Sequence, residues 1–373
     1  MAGVAVYEPS TFVPPATKPT SRRLLAAAHV VADTTSGGAS APDRIDVEAT
    51  LAVRRHLWSW GLGVAEAMDT AQRGMGLSWA DARELIPHTI ADARACGGDL
   101  VVGVQTDQLE PGSARSLRDV ETAYEEQLSF VEGLGGRVCL MASRELARIA
   151  RGPDDYLSVY GAVLSQVRAP AIIHWLGDVF DPALAGYWGH DDLDAAADVL
   201  LEIVRENAAR VDGVKLSLLA QSRELAMRAR LPAGVRLYTG DDLDYPRLIR
   251  GDGERYSDAL LGVLDAIAPA AATALVALDA GDGDEFERIL EPTLPLARTI
   301  FEPPTYHYKV GLTLVAFLNG LQPHFRMLDG LESARSIGHL REVYRLAGEA
   351  GLLVDPELAA ARMRHLLALA GTE

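Results

Sequence analysis

Short apolar runs recur through most of the chain, and longer amphipathic segments separate them. The runs have the length and residue types of buried strands, whereas the segments between them repeat apolar residues at the spacing of a helix. This pattern predicts eight strands, of which the last is the weakest. They cover residues 23–32, 62–67, 99–104, 137–141, 171–175, 211–219, 235–238 and 256–262.

Eight amphipathic segments follow the eight runs in alternation. Asp46 is expected to cap the first helix, and Ser78 with Asp81 has the spacing of a capping box at the start of the second. The predicted helices cover residues 46–60, 78–95, 114–133, 153–167, 192–207, 221–230, 242–250 and 266–280.

Eight strand–helix units over about 250 residues predict an α/β fold, specifically a (β/α)8 TIM barrel. A doubly wound sheet is the competing fold, but residues 33–42 lack the glycine spacing of a dinucleotide-binding turn. Residues 1–20 contain four prolines and are interpreted as an N-terminal arm. The barrel then covers residues 21–282, and residues 283–373 form a C-terminal helical extension.

Composition narrows the class of protein. Of 373 residues, 49% are hydrophobic and 23% charged, and the net charge is -17, which argues against nucleic-acid and membrane-surface partners. Cys96 and Cys139 provide neither a disulfide framework nor a metal motif. No signal peptide or apolar run of transmembrane length is recognised, so a cytoplasmic protein without cofactor or bound metal is expected.

Lysine is rare in this chain, because the 35 basic residues include lysine only at positions 18, 215 and 309. Lys215 lies within the apolar sixth strand, where an unpaired ammonium group is costly to bury. A desolvated lysine can lose its proton and become a nucleophile, which arginine cannot do. The alternative is structural, with Lys215 reaching water at the strand end or pairing with Asp241.

Polar residues collect at the carboxyl ends of strands five to seven, where barrel enzymes carry their catalytic groups. They are His174, Ser217 and the segment Thr239, Gly240, Asp241 and Asp242. Strands five and six should be neighbours, so His174 and Lys215 are expected to meet if both face the barrel axis. The pair would then combine an imine-forming amine with a proton shuttle. Alternatively, His174 is a structural core residue, and the two aspartates cap a helix.

Three motifs resemble those of the dihydrodipicolinate synthase and N-acetylneuraminate lyase family of class I aldolases, and they follow one another along the chain in the same order as in that family. The resemblance is greatest to the uncharacterised dihydrodipicolinate synthase-like branch of the family. Gly213 to Lys215 resembles the Schiff-base strand of the family, and residues 239–242 resemble its segment for distal substrate hydroxyls. Asp69 and Thr70, followed by residues 74–78, resemble its loop with a threonine pair.

The resemblance implies a lyase that forms an imine with a small carbonyl compound, such as a 2-oxo acid or a sugar-derived aldehyde. Lys215 would be the nucleophile, His174 the proton shuttle and Thr70 a contact for the proximal polar group, in a homodimer or homotetramer. Three positions depart from the family pattern. His174 stands where the family has a tyrosine, Ala71 replaces the second threonine, and residues 142–144 replace a Pro-Tyr-Tyr motif.

Two other functions stay open. Carboxylates and imidazoles on barrel loops also suit a metal-dependent isomerase or aldolase, and a catalytically silent metabolite-binding barrel is the third possibility. The metal set would be Glu66, Asp69, His174, Asp178 and His190. Residues 176–191 form either a lid or a rigid packed loop, and Lys309 is assigned to the start of a core helix rather than to catalysis.

Overall fold

Eight parallel strands close into a barrel in the order of the chain, as the computed structural model of the protein shows for residues 4–37, 44–69 and 72–372. The final strand pairs with both the seventh and the first, so even the weakest predicted strand is part of the closed sheet. The strands are β1 (Leu24–Ala27), β2 (Gly63–Glu66), β3 (Leu100–Val104), β4 (Val138–Leu140), β5 (Ala171–Leu176), β6 (Val211–Ser217), β7 (Arg236–Thr239) and β8 (Asp258–Leu261).

Helices surround the barrel and continue beyond it. Asp46 caps α1 by accepting a hydrogen bond from the Ala49 amide, and Ser78 and Asp81 form the predicted capping box. The helices are α1 (Val47–Ser59), α2 (Trp79–Cys96), α3 (Leu117–Gly133), α4 (Arg144–Ile149), α5 (Pro153–Leu164), α6 (Leu193–Glu206), α7 (Gln221–Arg230), α8 (Tyr245–Arg250), α9 (Leu264–Asp279), α10 (Gly283–Leu290), α11 (Leu294–Ile300), α12 (Lys309–Leu318), α13 (Ile337–Glu349) and α14 (Pro356–Leu369). The (β/α)8 TIM barrel with a C-terminal helical region is confirmed.

Two local predictions differ from the structure. The first strand ends at Ala27 rather than at residue 32, because the following segment bonds to side chains instead of to the sheet. His29 donates its amide to Asp265 (3.0 Å), and Val31 donates its amide to the Thr50 hydroxyl. The short helix α4 was not predicted; it begins where the Ser143 hydroxyl accepts a hydrogen bond from the Leu146 amide.

Side chains inside the barrel form a core separate from the layer between sheet and helices. The inner cluster includes Leu25, Ala27, Cys139, Ile172 and Tyr238, each essentially inaccessible to solvent. Because successive strand residues point to opposite faces, this cluster identifies which residues of β5 and β6 face the axis. Ile172 pairs with Gly213, so His174 and Lys215, two positions further along each strand, also face inward.

The C-terminal helices close one side of the barrel. All ten residues of α12 are buried, and this helix packs against α9, α11, α13 and α14. The arm approaches the same region, since the Ser10 amide donates to the Leu353 carbonyl and Tyr7 packs edge-on against Tyr344. None of the described helices is both long and apolar enough to cross a membrane.

Candidate active site

Lys215 lies inside the barrel near the carboxyl end of β6 and is only 4% exposed. Its backbone is in register with His174 on β5 and with Tyr238 on β7. Gly213, one inward position earlier, leaves room for the Tyr238 ring, because a Cβ there would come within 2.7 Å of the ring. The Tyr238 ring therefore fills the barrel beneath the amine. The amine itself lies toward the carboxyl ends of the strands, where enzymes with this fold carry their active sites.

The carboxylate nearest to the amine is Asp69, in the segment after β2. The distance between Lys215 Nζ and Asp69 Oδ1 is 3.8 Å, and the Tyr308 hydroxyl donates to Asp69 Oδ2 at 2.8 Å. Burial alone would raise the pKa of Asp69, but Lys215, His174 and Lys309 outweigh it and lower the pKa to about 2. Asp69 is therefore ionised at neutral pH and compensates the charge of Lys215. The ion-pair partner of Lys215 is thus Asp69 and not Asp241, which the sequence had suggested as an alternative.

His174 contacts the neighbouring strand through its ring. Its Nε2 lies 3.1 Å from the Ser217 hydroxyl, while its buried Nδ1 has no hydrogen-bond partner among the described residues. Burial, reinforced by the charge of Lys215, lowers the pKa of His174 well below its ordinary value. The imidazole is therefore neutral at neutral pH and can accept a proton inside the barrel.

Gly240 is needed for this contact because it lies directly against Ser217. A Cβ at position 240 would overlap the Ser217 hydroxyl and come within 2.7 Å of the Leu216 carbonyl oxygen. The Gly240 amide donates to that same carbonyl at 2.9 Å. The segment after β7 can thus follow β6 closely only with glycine at this position.

The two adjacent aspartates have different environments. Asp241 accepts hydrogen bonds from the amides of Leu243 (2.9 Å) and Asp244 (3.2 Å), so it stabilises the turn before α8. Asp242 accepts from the Val263 amide at 2.8 Å, and its complete burial raises its pKa to about 8 despite the charge of Lys215. Asp242 is thus a protonated acid at neutral pH, which is the form that can donate a hydrogen bond or a proton.

Not every predicted site residue comes to the barrel interior. Thr239 alternates with the inward-facing Tyr238 and points to the outer layer, where its hydroxyl donates to Glu224 of α7 at 2.7 Å. The structure therefore does not bring Thr239 to Lys215, because strand alternation turns its side chain away. Thr70 lies outside the described residues.

The residues proposed as metal ligands do not assemble. Glu66 is fully buried in the outer layer, where Arg54 forms an ion pair with it (2.8 Å) and Thr89 donates a hydroxyl hydrogen bond. Within the described ranges, no group of three or more histidine, cysteine, aspartate or glutamate side chains has a geometry that could hold a metal ion.

The loop at residues 176–191 is packed rather than lid-like. The Tyr187 hydroxyl accepts from the Ser143 amide at 2.9 Å and lies 3.0 Å from the Tyr160 hydroxyl. Trp188 is completely buried and contacts the rings of Tyr160 and Trp175. These contacts join the loop to α5 and to the start of α4.

A small cleft adjoins Asp69. Met75, Gln105 and Arg144 line it together with Tyr308 and Lys309, which belong to the C-terminal region. Lys309 begins a core helix, as predicted, but its position beside Asp69 in this cleft was not predicted. The available signal was composition, because Lys309 is one of only three lysines.

Solved structures similar to this one include dihydrodipicolinate synthases, the family that the motifs resemble. A Pseudomonas aeruginosa protein assigned as a dihydrodipicolinate synthetase is 17% identical with a TM-score of 0.66, and the match covers 88% of this chain and 99% of that one. Dihydrodipicolinate synthase from Aquifex aeolicus is 12% identical with a TM-score of 0.65, and the match covers 89% of this chain and 99% of that one. 4-Hydroxy-tetrahydrodipicolinate synthase from Methylacidiphilum fumariolicum is 15% identical with a TM-score of 0.63, and the match covers 91% of this chain and 99% of that one. The chain therefore has the fold of these synthases.

Within that fold, the sequence defines a narrower group. Residues 1–372 match the family described as "Protein of unknown function (DUF993)", and the chain belongs to this family. No curated protein sequence matches the chain.

Proposed function

We propose that the protein is a Schiff-base (class I) aldolase or lyase that acts on a small carbonyl compound through an imine on Lys215. The observation that carries the proposal is the buried amine inside the barrel, 3.8 Å from an ionised Asp69 and beside a neutral His174. The fold shared with dihydrodipicolinate synthases supports the same chemistry. A 2-oxo acid or a sugar-derived aldehyde is the proposed substrate class.

Imine formation needs a base and then an acid beside the amine, and the neutral His174 is the proposed group for both steps. His174 accepts a proton from the Lys215 ammonium group, and the free amine adds to the carbonyl carbon of the substrate. A proton shift from nitrogen to oxygen gives a neutral carbinolamine. His174 returns its proton to the carbinolamine hydroxyl group, which leaves as water, and a protonated imine remains on Lys215. The ionised Asp69, 3.8 Å from Lys215 Nζ, stabilises the positive charge of this imine.

Cleavage of a carbon–carbon bond then requires a base for the substrate hydroxyl group. The neutral His174 is the proposed acceptor of that proton, while the bond electrons move into the protonated imine. Ser217 orients the imidazole, and Gly240 allows Ser217 to approach. Asp242, protonated below a pH of about 8, is a proposed donor to a substrate oxygen. Thr70 and Asp241 stay proposed substrate contacts on the family resemblance.

Borohydride trapping tests the proposal directly. The protein is incubated with a panel of 2-oxo acids and aldehydes, reduced with borohydride and digested for peptide mass analysis. We expect a covalent mass increase on Lys215, because reduction converts the imine to a stable secondary amine. The three lysines make the assignment unambiguous, and the exposed Lys18 reports non-specific labelling.

The matched control is Lys215→Arg, which keeps a positive charge beside Asp69 and removes the nucleophile. This variant should show no labelling at position 215 and no activity on any substrate that labels the wild type. Absence of an adduct with every carbonyl, together with activity that a chelator removes, would instead favour the metal-dependent reaction. Absence of both would leave a barrel that only binds a metabolite.

A further inference from the structure

Lys309 is a buried cation at the mouth of the barrel without a carboxylate of its own. It is 4% exposed, and its Nζ contacts the Tyr306 carbonyl oxygen (3.4 Å) and the Met75 sulfur (3.5 Å). It also lies 5.2 Å from the centre of the Tyr308 ring. In the part of the chain that the structure describes, no carboxylate oxygen lies within 4 Å of it. Burying an ammonium group in this way is costly unless an anion compensates it.

The other cations that border the cleft or lie beneath it are each paired. Lys215 is paired with Asp69, Arg73 lies 2.5 Å from Asp107, and Arg144 lies 2.6 Å from Asp181. Lys309 is thus the cation of the cleft that has no direct ion pair with a described side chain. Burial, together with the nearby Arg144, lowers its pKa to about 8, although Asp69 and Asp181 act in the opposite direction.

The backbone strengthens the preference of the cleft for an anion. Lys309 is the first residue of α12, a helix of ten residues without an acidic side chain in its first turn. The partial positive charge of a helix N-terminus favours anions, and it disfavours a lysine unless a counter-charge is present. In addition, Gln105 Oε1 and Asp69 Oδ1 are buried at this cleft and accept no hydrogen bond from the described residues. Both oxygens require a hydrogen-bond donor, so they indicate a ligand that has a donor, such as a hydroxyl group, as well as an anionic group.

We infer that Lys309 is the specificity-determining residue of this cleft and that it binds an anionic group, a carboxylate or a phosphate, of the carbonyl substrate. The inference rests on the proposed function, since it assigns the opposite end of the substrate that reacts with Lys215. Asp69 lies 3.8 Å from Lys215 Nζ and lines the cleft together with Lys309, and both lysines lower its pKa. The substrate would therefore extend past Asp69, with its carbonyl carbon at Lys215 and its anionic group at the start of α12.

Labelling with a matched pair of probes measures the effect of the anion. Pyruvate and its neutral amide, pyruvamide, are trapped with borohydride on the wild type and on Lys309→Met, which has a similar length and no charge. We expect the pyruvate concentration for half-maximal labelling of Lys215 to rise at least tenfold in Lys309→Met, while that for pyruvamide changes less than about twofold. Lys309→Arg should recover most of the loss. Equal shifts for both probes, or labelling of Lys309 instead of Lys215, would overturn the inference.

A second measurement does not depend on imine formation. In the Lys215→Arg background, sodium pyruvate and sodium phosphate are compared with sodium chloride of equal ionic strength for their effect on the melting temperature. At least one of the two anions should raise it by 2 °C or more, and Lys309→Met should remove that rise; the effective anion identifies the group bound. No rise with either anion would refute the role of Lys309. A rise without any borohydride adduct in the wild type would refute the imine and retain the anion site.

Discussion

Gly240 illustrates how a residue without a side chain determines the geometry of the site. Its backbone approaches Ser217 so closely that a methyl group would displace the hydroxyl group that contacts His174. In the sequence, Gly240 was notable only because its segment follows a predicted strand and resembles a family motif. The close approach between β6 and the segment after β7 explains why position 240 needs a glycine, which the spacing of residues in the sequence cannot explain.

Gly240→Ala is therefore expected to lower both stability and imine formation. Overpacking at this position should cost about 1–3 kcal/mol of unfolding free energy, and displacement of Ser217 should slow the trapping of Lys215. The measurements are urea unfolding and the rate of borohydride labelling. Gly161→Ala in α5 is the matched control, because a Cβ there meets no atom within 4 Å and a helical alanine should be neutral or stabilising. Equal behaviour of the two variants would contradict the steric argument.

The rarity of lysine was a better guide at the residue scale than the strand pattern. It correctly drew attention to Lys215, whose location inside the barrel the structure shows. The same rarity applied to Lys309, which was assigned to the start of a core helix, and the structure confirms that the buried helix α12 begins there. Only the fold shows that α12 begins at the barrel mouth.

At the scale of single elements, β7 and α7 are joined by a buried carboxylic acid. Glu224 accepts hydrogen bonds from the hydroxyls of Thr239 (2.7 Å) and Ser257 (2.8 Å). Burial raises its pKa to about 7, although both hydroxyls act in the opposite direction. Thr239 thus stabilises the packing of a helix against the sheet, a role that its position in a family-like motif had obscured.

This pairing predicts a measurable pH dependence of stability. The native state retains the Glu224 proton up to a pH of about 7, whereas the unfolded chain loses it near the ordinary value of 4.5. The free energy of unfolding should therefore fall as the pH rises through this window, by up to about 3 kcal/mol from this group. Glu224→Gln should remove this contribution and leave the fall that comes from Asp242, since burial raises its pKa as well. Urea unfolding at pH 5 and pH 8 measures the difference, and parallel pH profiles for the two proteins would exclude the assignment.

At the scale of the whole molecule, the C-terminal helices are part of the site as well as of the core. Besides Tyr308 and Lys309, the segment after α12 contributes Gln322, whose side-chain oxygen lies 2.8 Å from His29 Nε2 at the end of the β1 segment. His29 in turn contacts Asp265 at the start of α9. The boundary proposed at residue 282 therefore separates two regions that share buried polar contacts.

We predict that the barrel and the C-terminal helices unfold as one cooperative unit. All five tryptophans lie between residues 58 and 188, so their fluorescence reports the barrel, whereas far-UV circular dichroism reports all helices. The two signals should give the same urea midpoint. A chain ended at residue 282 should be insoluble, because it exposes the faces that α12 covers. Two separate transitions, or a soluble folded fragment, would show that residues 283–373 are an independent extension.

The oligomeric state of the protein is predicted to be a homodimer or a homotetramer. This prediction rests on the family resemblance, and sedimentation velocity at two protein concentrations would measure the oligomeric state. A single monomeric species at both concentrations would contradict it.

The sequence by itself determined the barrel, because the alternation of short apolar runs with amphipathic helices is a local property that few folds satisfy. It also determined the strand that carries Lys215 and, through register between consecutive strands, its neighbour His174. The tertiary structure decided which groups surround the amine. Asp69, Tyr308 and Lys309 come from segments up to 240 residues apart, and no periodicity relates them. Loop paths and helix packing bring them together, so their roles depend on contacts that local sequence does not encode.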